Sequence, residues 1–160
     1  MRTLAVVLTA TALLIPSARA ANIVDIGRPR IIFISPDSAT ATCGKPGRRG
    51  CTTLQTEFLC ACAQTGEKKW TLAPHLIATP LLYTTTQDVV RHEMEHIADI
   101  RGSLNEYAAG LMLRSFDTEQ SCSSFIDVEK KTFANTLRNI QRLTTVKRDG
   151  VQYADRAGDH

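Results

Sequence analysis

Two kinds of hydrophobic patterning divide the chain. Between residues 31 and 83 apolar side chains fall in short extended runs, whereas beyond residue 87 they recur every three or four positions. Ile31-Ile32-Phe33-Ile34 is a β-type run, stopped by Ser35-Pro36-Asp37. Residues 21–29 read as an irregular segment and residues 44–50, GKPGRRG, as a loop. Residues 52–63 resume strand character, with Leu54, Phe58, Cys60 and Cys62 on one parity, and Thr65-Gly66-Glu67 marks a turn. Trp70-Thr71-Leu72 and His75 to Tyr83 are extended again. Pro74 and Pro80 within this stretch predict an edge strand, because proline has no N–H to give to a ladder.

The helical half opens at Thr84-Thr85-Thr86. Thr85 with Asp88 has the spacing of a capping box, and a helix is predicted from about Gln87 to Ile100. Arg101-Gly102 is expected to break it. Ser103-Leu104-Asn105-Glu106 is a full S-x-x-E box, predicting a second helix with Leu104, Tyr107, Ala108, Leu111 and Met112 inward. After a polar loop around residues 119–123, a third helix is predicted from Phe125 to Val146, with Phe133, Leu137, Ile140 and Leu143 as its apolar stripe. Asp149-Gly150 ends it, and residues 151–160 form a polar tail. The predicted class is α+β: a small antiparallel sheet packed on about three helices.

The first twenty residues stand apart. Arg2 precedes an apolar run from Leu4 to Ile15, and Ala18-Arg19-Ala20 has the A-x-A form of a cleavage site, so residues 1–20 read as a secretory signal peptide. Residues 21–160 are then the mature chain, of a size suited to one domain. The apolar run is too short for a comfortable membrane span and no second one follows, so no span is expected in the mature chain. Export to the periplasm or the medium is the expectation, and the sequence leaves the oligomeric state open. Of 19 basic residues, Arg2 and Arg19 leave with the leader, which brings the mature chain close to balance against 16 acidic residues. That balance gives no electrostatic case for a nucleic-acid partner.

The five cysteines, Cys43, Cys51, Cys60, Cys62 and Cys122, all lie in the mature part. An exported chain is expected to pair them, and an odd number leaves one over. Cys43 and Cys51 flank the Gly/Pro/Arg loop and are placed to staple it. Cys60 and Cys62 are not expected to pair with each other; one of them joined to Cys122 would tie the sheet to the helices. The absence of paired C-x-x-C units argues against a cysteine zinc site.

The candidate chemistry is His92-Glu93-Met94-Glu95-His96, an H-E-x-x-H pattern on the first long helix. Residues four apart share a helix face, so His92 and His96 can offer two imidazole nitrogens to one metal ion while Glu93 reaches a water beside it. A chain of this length carries such a pattern by chance on the order of 0.5% of the time. The alternative is a solvated face on which Arg91 and Glu95, four apart, form an ion pair.

The motif and its flanks resemble the zincin metallopeptidases. Val89, Val90, Met94, Ile97 and Ala98 fit their pattern; Glu95 departs from it, in a slot usually uncharged. The resemblance implies zinc, a peptide or protein substrate, and an upstream edge strand that receives it, for which residues 75–83 are in the right place. More narrowly, the chain resembles a family of small bacterial proteins regarded as secreted zinc-dependent proteases. That likeness rests on the leader, the cysteine-bearing strands, His96-Ile97-Ala98-Asp99-Ile100 and Asp155 to His160.

A catalytic zinc site needs a third protein ligand. Position 102 is Gly, so the metzincin spacing fails. Glu106, brought back by a bend at Arg101-Gly102, would complete a gluzincin-like site, although it equally suits the role of cap for its own helix. His160 is the rival ligand. His75 reads as structural or exposed, Asp99 as an acceptor for an imidazole or a solvated helix-end carboxylate, and Tyr107 and Tyr153 as packing residues or phenol donors. The expected activity is peptide hydrolysis with Glu93 as general base, falling at acid pH because neutral histidines bind the metal. The alternative is a non-catalytic zinc-binding or interaction protein on the same scaffold.

Overall fold

The computed structural model describes residues 23–44, 46–66 and 68–150. The expected leader, Tyr153 and His160 lie outside them. Element order is β1 (Val24–Ile26), β2 (Arg30–Phe33), α1 (Pro36–Cys43), β3 (Gly50–Gln64), β4 (Trp70–Thr84), α2 (Gln87–Met112), β5 (Ser115–Phe116) and α3 (Glu119–Asp149). The class is α+β, as the patterning predicts. The arrangement differs in two respects: the motif helix is the second of three, and the sheet is mixed. β3 and β4 form a long antiparallel hairpin, β5 adds antiparallel, and β1 and β2 run parallel to β4.

β4 is therefore the central strand and not an edge. Its two prolines fit because of where they fall. Leu76 donates its N–H to Ile23, so the even-numbered backbone groups of β4 face the side of β1 and β2. On that side β5 pairs at Trp70 and Thr71, β1 at Leu76 to Ala78, and β2 at Leu81 to Thr84. Pro74 and Pro80 sit in the two gaps, where no ladder bond is lost. The strand with an unpaired outer edge is β3, which among the described residues pairs only with β4.

The same even parity faces the helices. Leu72, Leu76, Ala78 and Leu82 are buried there, with Leu54, Phe58, Cys60 and Cys62 of β3 alongside. Residues of odd number on the outer face, such as Gln55, Glu57, Ala73 and His75, are exposed, so only one side of the sheet is covered by the long helices.

α1 starts where the sequence suggested only a stop. Ser35 caps it by accepting the Ser38 N–H (3.2 Å), Pro36 occupies the first turn, and Gly44 closes it at φ +68°. The Cys43–Cys51 disulfide then fastens this helix to the start of β3.

The predicted break at Arg101-Gly102 does not occur: α2 is one helix through both residues. Glycine costs a helix about 1 kcal/mol. Burying Ile100 and Leu104 on either side contributes roughly 1.5–3 kcal/mol each, and this outweighs it. α3 likewise begins earlier, capped by Thr118, and runs antiparallel along α2. Leu111 packs with Cys122 and Ile126 at one end. Tyr107, Phe58 and Phe133 stack in the middle, at ring separations of 5.0 and 5.9 Å. Cys62–Cys122 joins the hairpin to α3, and Cys60 stays a thiol on the same strand face. No helix among the described residues is long and apolar enough to cross a membrane.

Candidate metal centre

The N-terminal half of α2 presents its polar face to two neighbours, the start of β3 and the last turn of α3. His92 and His96 lie one helical turn apart with their Nε2 atoms 3.2 Å from each other. Asp149, the last residue of α3, completes the group: its Oδ1 is 3.0 Å from His92 Nε2 and its Oδ2 is 3.2 Å from His96 Nε2. This group of three could hold a metal ion. Three donors bound tetrahedrally at 2.0–2.1 Å would be separated by about 3.3 Å, close to the spacings here. His96 is buried and His92 half exposed, so the cluster has one sheltered and one open side.

The position of Asp149 carries its own signal. The carbonyls at a helix C-terminus carry partial negative charge, which disfavours a carboxylate there and favours a cation. Gly150, at φ +87°, ends the helix immediately after it.

Glu93 is buried beside the cluster, and its Oε2 accepts a 2.7 Å hydrogen bond from the Thr52 hydroxyl of β3. Gly50 makes that approach possible. A Cβ there would lie 2.7 Å from Val89 Cγ1, 2.9 Å from the Tyr83 carbonyl oxygen and 3.4 Å from Glu93 Oε1. Arg49 secures the same corner by donating to Thr86 Oγ1 (2.8 Å) and to both oxygens of Asp88. Asp88 thus serves an ion pair instead of a cap. The Thr86 hydroxyl and then Arg49 hold its carboxyl below the usual range.

These groups line one part of a cleft of about 1130 Å³ between the outer edge of β3 and α3. Thr52, Leu54, Thr56 and Phe58 form one wall; Lys130, Phe133, Leu137 and Arg138 stand opposite. By the register that turns even-numbered β4 groups towards β1, the even-numbered backbone groups of this wall point away from β4 and carry no ladder among the described residues.

Other residues singled out in the sequence lie elsewhere. Glu106 is exposed on the continuous α2, about 15 Å beyond His96 along the axis, so neither the bend nor a ligand or capping role exists for it. His75 is exposed on the outer sheet face. Asp99 faces Arg148 and Lys147, and Arg148 holds its carboxyl below the usual range. The Tyr107 phenol donates to Glu129 at 2.6 Å; burial first, then that carboxylate, raises its pKa well above the usual value. Burial likewise pushes the Cys60 thiol up. Asp149 is the residue that sequence reasoning missed: it reads as a helix stop. A helix long enough to return along an unbroken α2 was the available signal.

Comparison with protein-family models, curated proteins and solved structures finds no match to this chain.

Proposed function

We propose that the protein is a zinc-dependent peptidase of gluzincin-like design in which an aspartate replaces the expected glutamate. The observation that carries this reading is the convergence of His92, His96 and Asp149 at tetrahedral-ligand spacings beside a buried Glu93. Two imidazoles and one carboxylate are a donor set that suits zinc with an open fourth position. A zinc ion held there would polarise a substrate carbonyl and bring the pKa of a water towards about 7.

The rest of the work falls to the chain. Thr52 occupies Glu93 Oε2 and fixes the carboxylate, which leaves Oε1 to take the proton of the attacking water and return it to the leaving amine. The outer edge of β3, unpaired among the described residues, suits an extended peptide, whose backbone would pair with the groups at Thr52, Leu54 and Thr56. This assigns to β3 the role that the sequence suggested for residues 75–83. The two disulfides agree with an exported protein.

Two measurements test the reading. Purified protein is expected to hold one equivalent of zinc that His96→Ala loses; no zinc in the wild type sinks the site. Cleavage of a peptide library that stops with a chelator and returns with zinc separates an enzyme from a protein that only binds metal.

A further inference from the structure

Asp149 reaches the histidines only if the end of α3 is held at one height and one rotation against α2. The contacts that could hold it are beside it in sequence. Arg148 donates from Nη1 to Glu95 Oε2 at 2.6 Å and from its Nε to Asp99, and Lys147 reaches Asp99 at 3.4 Å. Glu95 and Asp99 are four residues apart on α2, as are His92 and His96. On a helix these pairs form two neighbouring rows, about 60° apart around the axis. One row is imidazole and the other carboxylate. Consecutive residues of α3 read the two rows: Asp149 the imidazoles, Arg148 the carboxylates.

A rotation of α3 by one residue in one direction would place the guanidinium against the histidines, and in the other direction the Asp149 carboxylate against Glu95 and Asp99. Both contacts would then be repulsive or lost. The pairing therefore fixes the register of the two helices at the site. Glu95, inside the motif, takes no part in the cluster of three, and this contact gives it a role.

We propose that Arg148 is a positioning residue of the metal centre, acting through Asp149 by clamping the last turn of α3 to Glu95 and Asp99. The inference rests on the metal-binding reading and deepens it. Its sign is distinctive. A cation near a metal site opposes metal binding by simple Coulomb repulsion, so removing it should strengthen affinity. Loss of positioning should weaken it.

The test is zinc affinity, measured on the full chain by competition with a chromophoric chelator, together with the visible absorption of the cobalt-substituted protein. Arg148→Ala is expected to lose 10–100-fold in zinc affinity, the range found for residues that orient metal ligands, and to weaken the cobalt bands as four-coordination is lost. Arg148→Lys should recover part of both. In an Asp149→Ala background, Arg148→Ala should cause no further loss of affinity. Arg148→Gln serves in its place if the alanine variant does not fold. Unchanged or tighter zinc binding in the Arg148 variants overturns the assignment, as does an equal loss in the Asp149→Ala background. A wild-type protein that binds no zinc overturns the metal reading itself, a result distinct from either.

Discussion

The two ends of the α2–α3 pair are built from opposite materials. At one end Leu111, Cys122 and Ile126 pack against Leu72, and the Cys62–Cys122 disulfide ties α3 covalently to the hairpin beneath. At the other end the same two helices meet through His92, His96 and Asp149, flanked by Glu95, Asp99 and Arg148. The first end is apolar and bonded; the second is charged and, on the proposed reading, completed by an ion. Polar groups brought together this closely are held at a cost that apolar packing elsewhere must offset. The closed end supplies that support and fixes where the open end begins, so the site can be both polar and ordered.

The contrast can be broken at either end. The largest effect is expected on chemistry at the open end: Glu93→Gln should lower peptide cleavage by about 10²–10⁴-fold while zinc content stays at the wild-type level. Full activity in that variant would remove Glu93 as the base. Next in size is the closed end. Cys62→Ala with Cys122→Ala opens a link between residues separated by 60 positions, which corresponds to about 4 kcal/mol on a chain-entropy estimate. Urea unfolding should show this loss, and zinc affinity below the transition should persist; if affinity disappears with the disulfide, the two ends are not separable.

Chelation should do the reverse. At zinc one hundredfold above its Kd the bound ion contributes about 2.7 kcal/mol. Its removal should accelerate amide exchange across residues 144–149 and leave residues 122–126 unchanged; uniform acceleration would show one cooperative unit. The smallest effect concerns the shaft between the ends. A Cβ at Gly102 meets nothing within 4 Å, so Gly102→Ala should raise stability by roughly 0.5–1 kcal/mol in thermal unfolding. Destabilisation there would mean that the helix needs its glycine.

Gly102 also marks where the sequence stops being legible. The His92/Glu93/His96 spacing is local, since four residues on a helix determine it, and it reads directly. The Cys43–Cys51 staple is similarly close in sequence, whereas the sequence leaves the partner of Cys122 open between Cys60 and Cys62, and the structure pairs it with Cys62. Gly102 reads as a break because propensity is visible and tertiary burial is not; the stripe Ile97, Ile100, Leu104, Ala108 and Leu111 runs through it unbroken. Glu106 as a ligand depended on that break, and Asp149 was hidden by it. Pro74 and Pro80 mislead for a related reason. They report that one N–H is missing on one side, but the gaps between β5, β1 and β2 belong to other parts of the chain. Glu95, which departs from the zincin pattern, has its explanation in Arg148, on another helix.

The place of Asp149 also sets an order of events. The hairpin and the motif helix are contiguous in sequence and can form early, whereas Asp149 joins the two histidines only when the last described helix has closed back along its partner. A nascent chain, or one clipped before Asp149, would carry the whole H-E-x-x-H motif without the carboxylate that faces it. On the proposed reading, metal binding is thereby deferred until synthesis and folding have reached the end of α3.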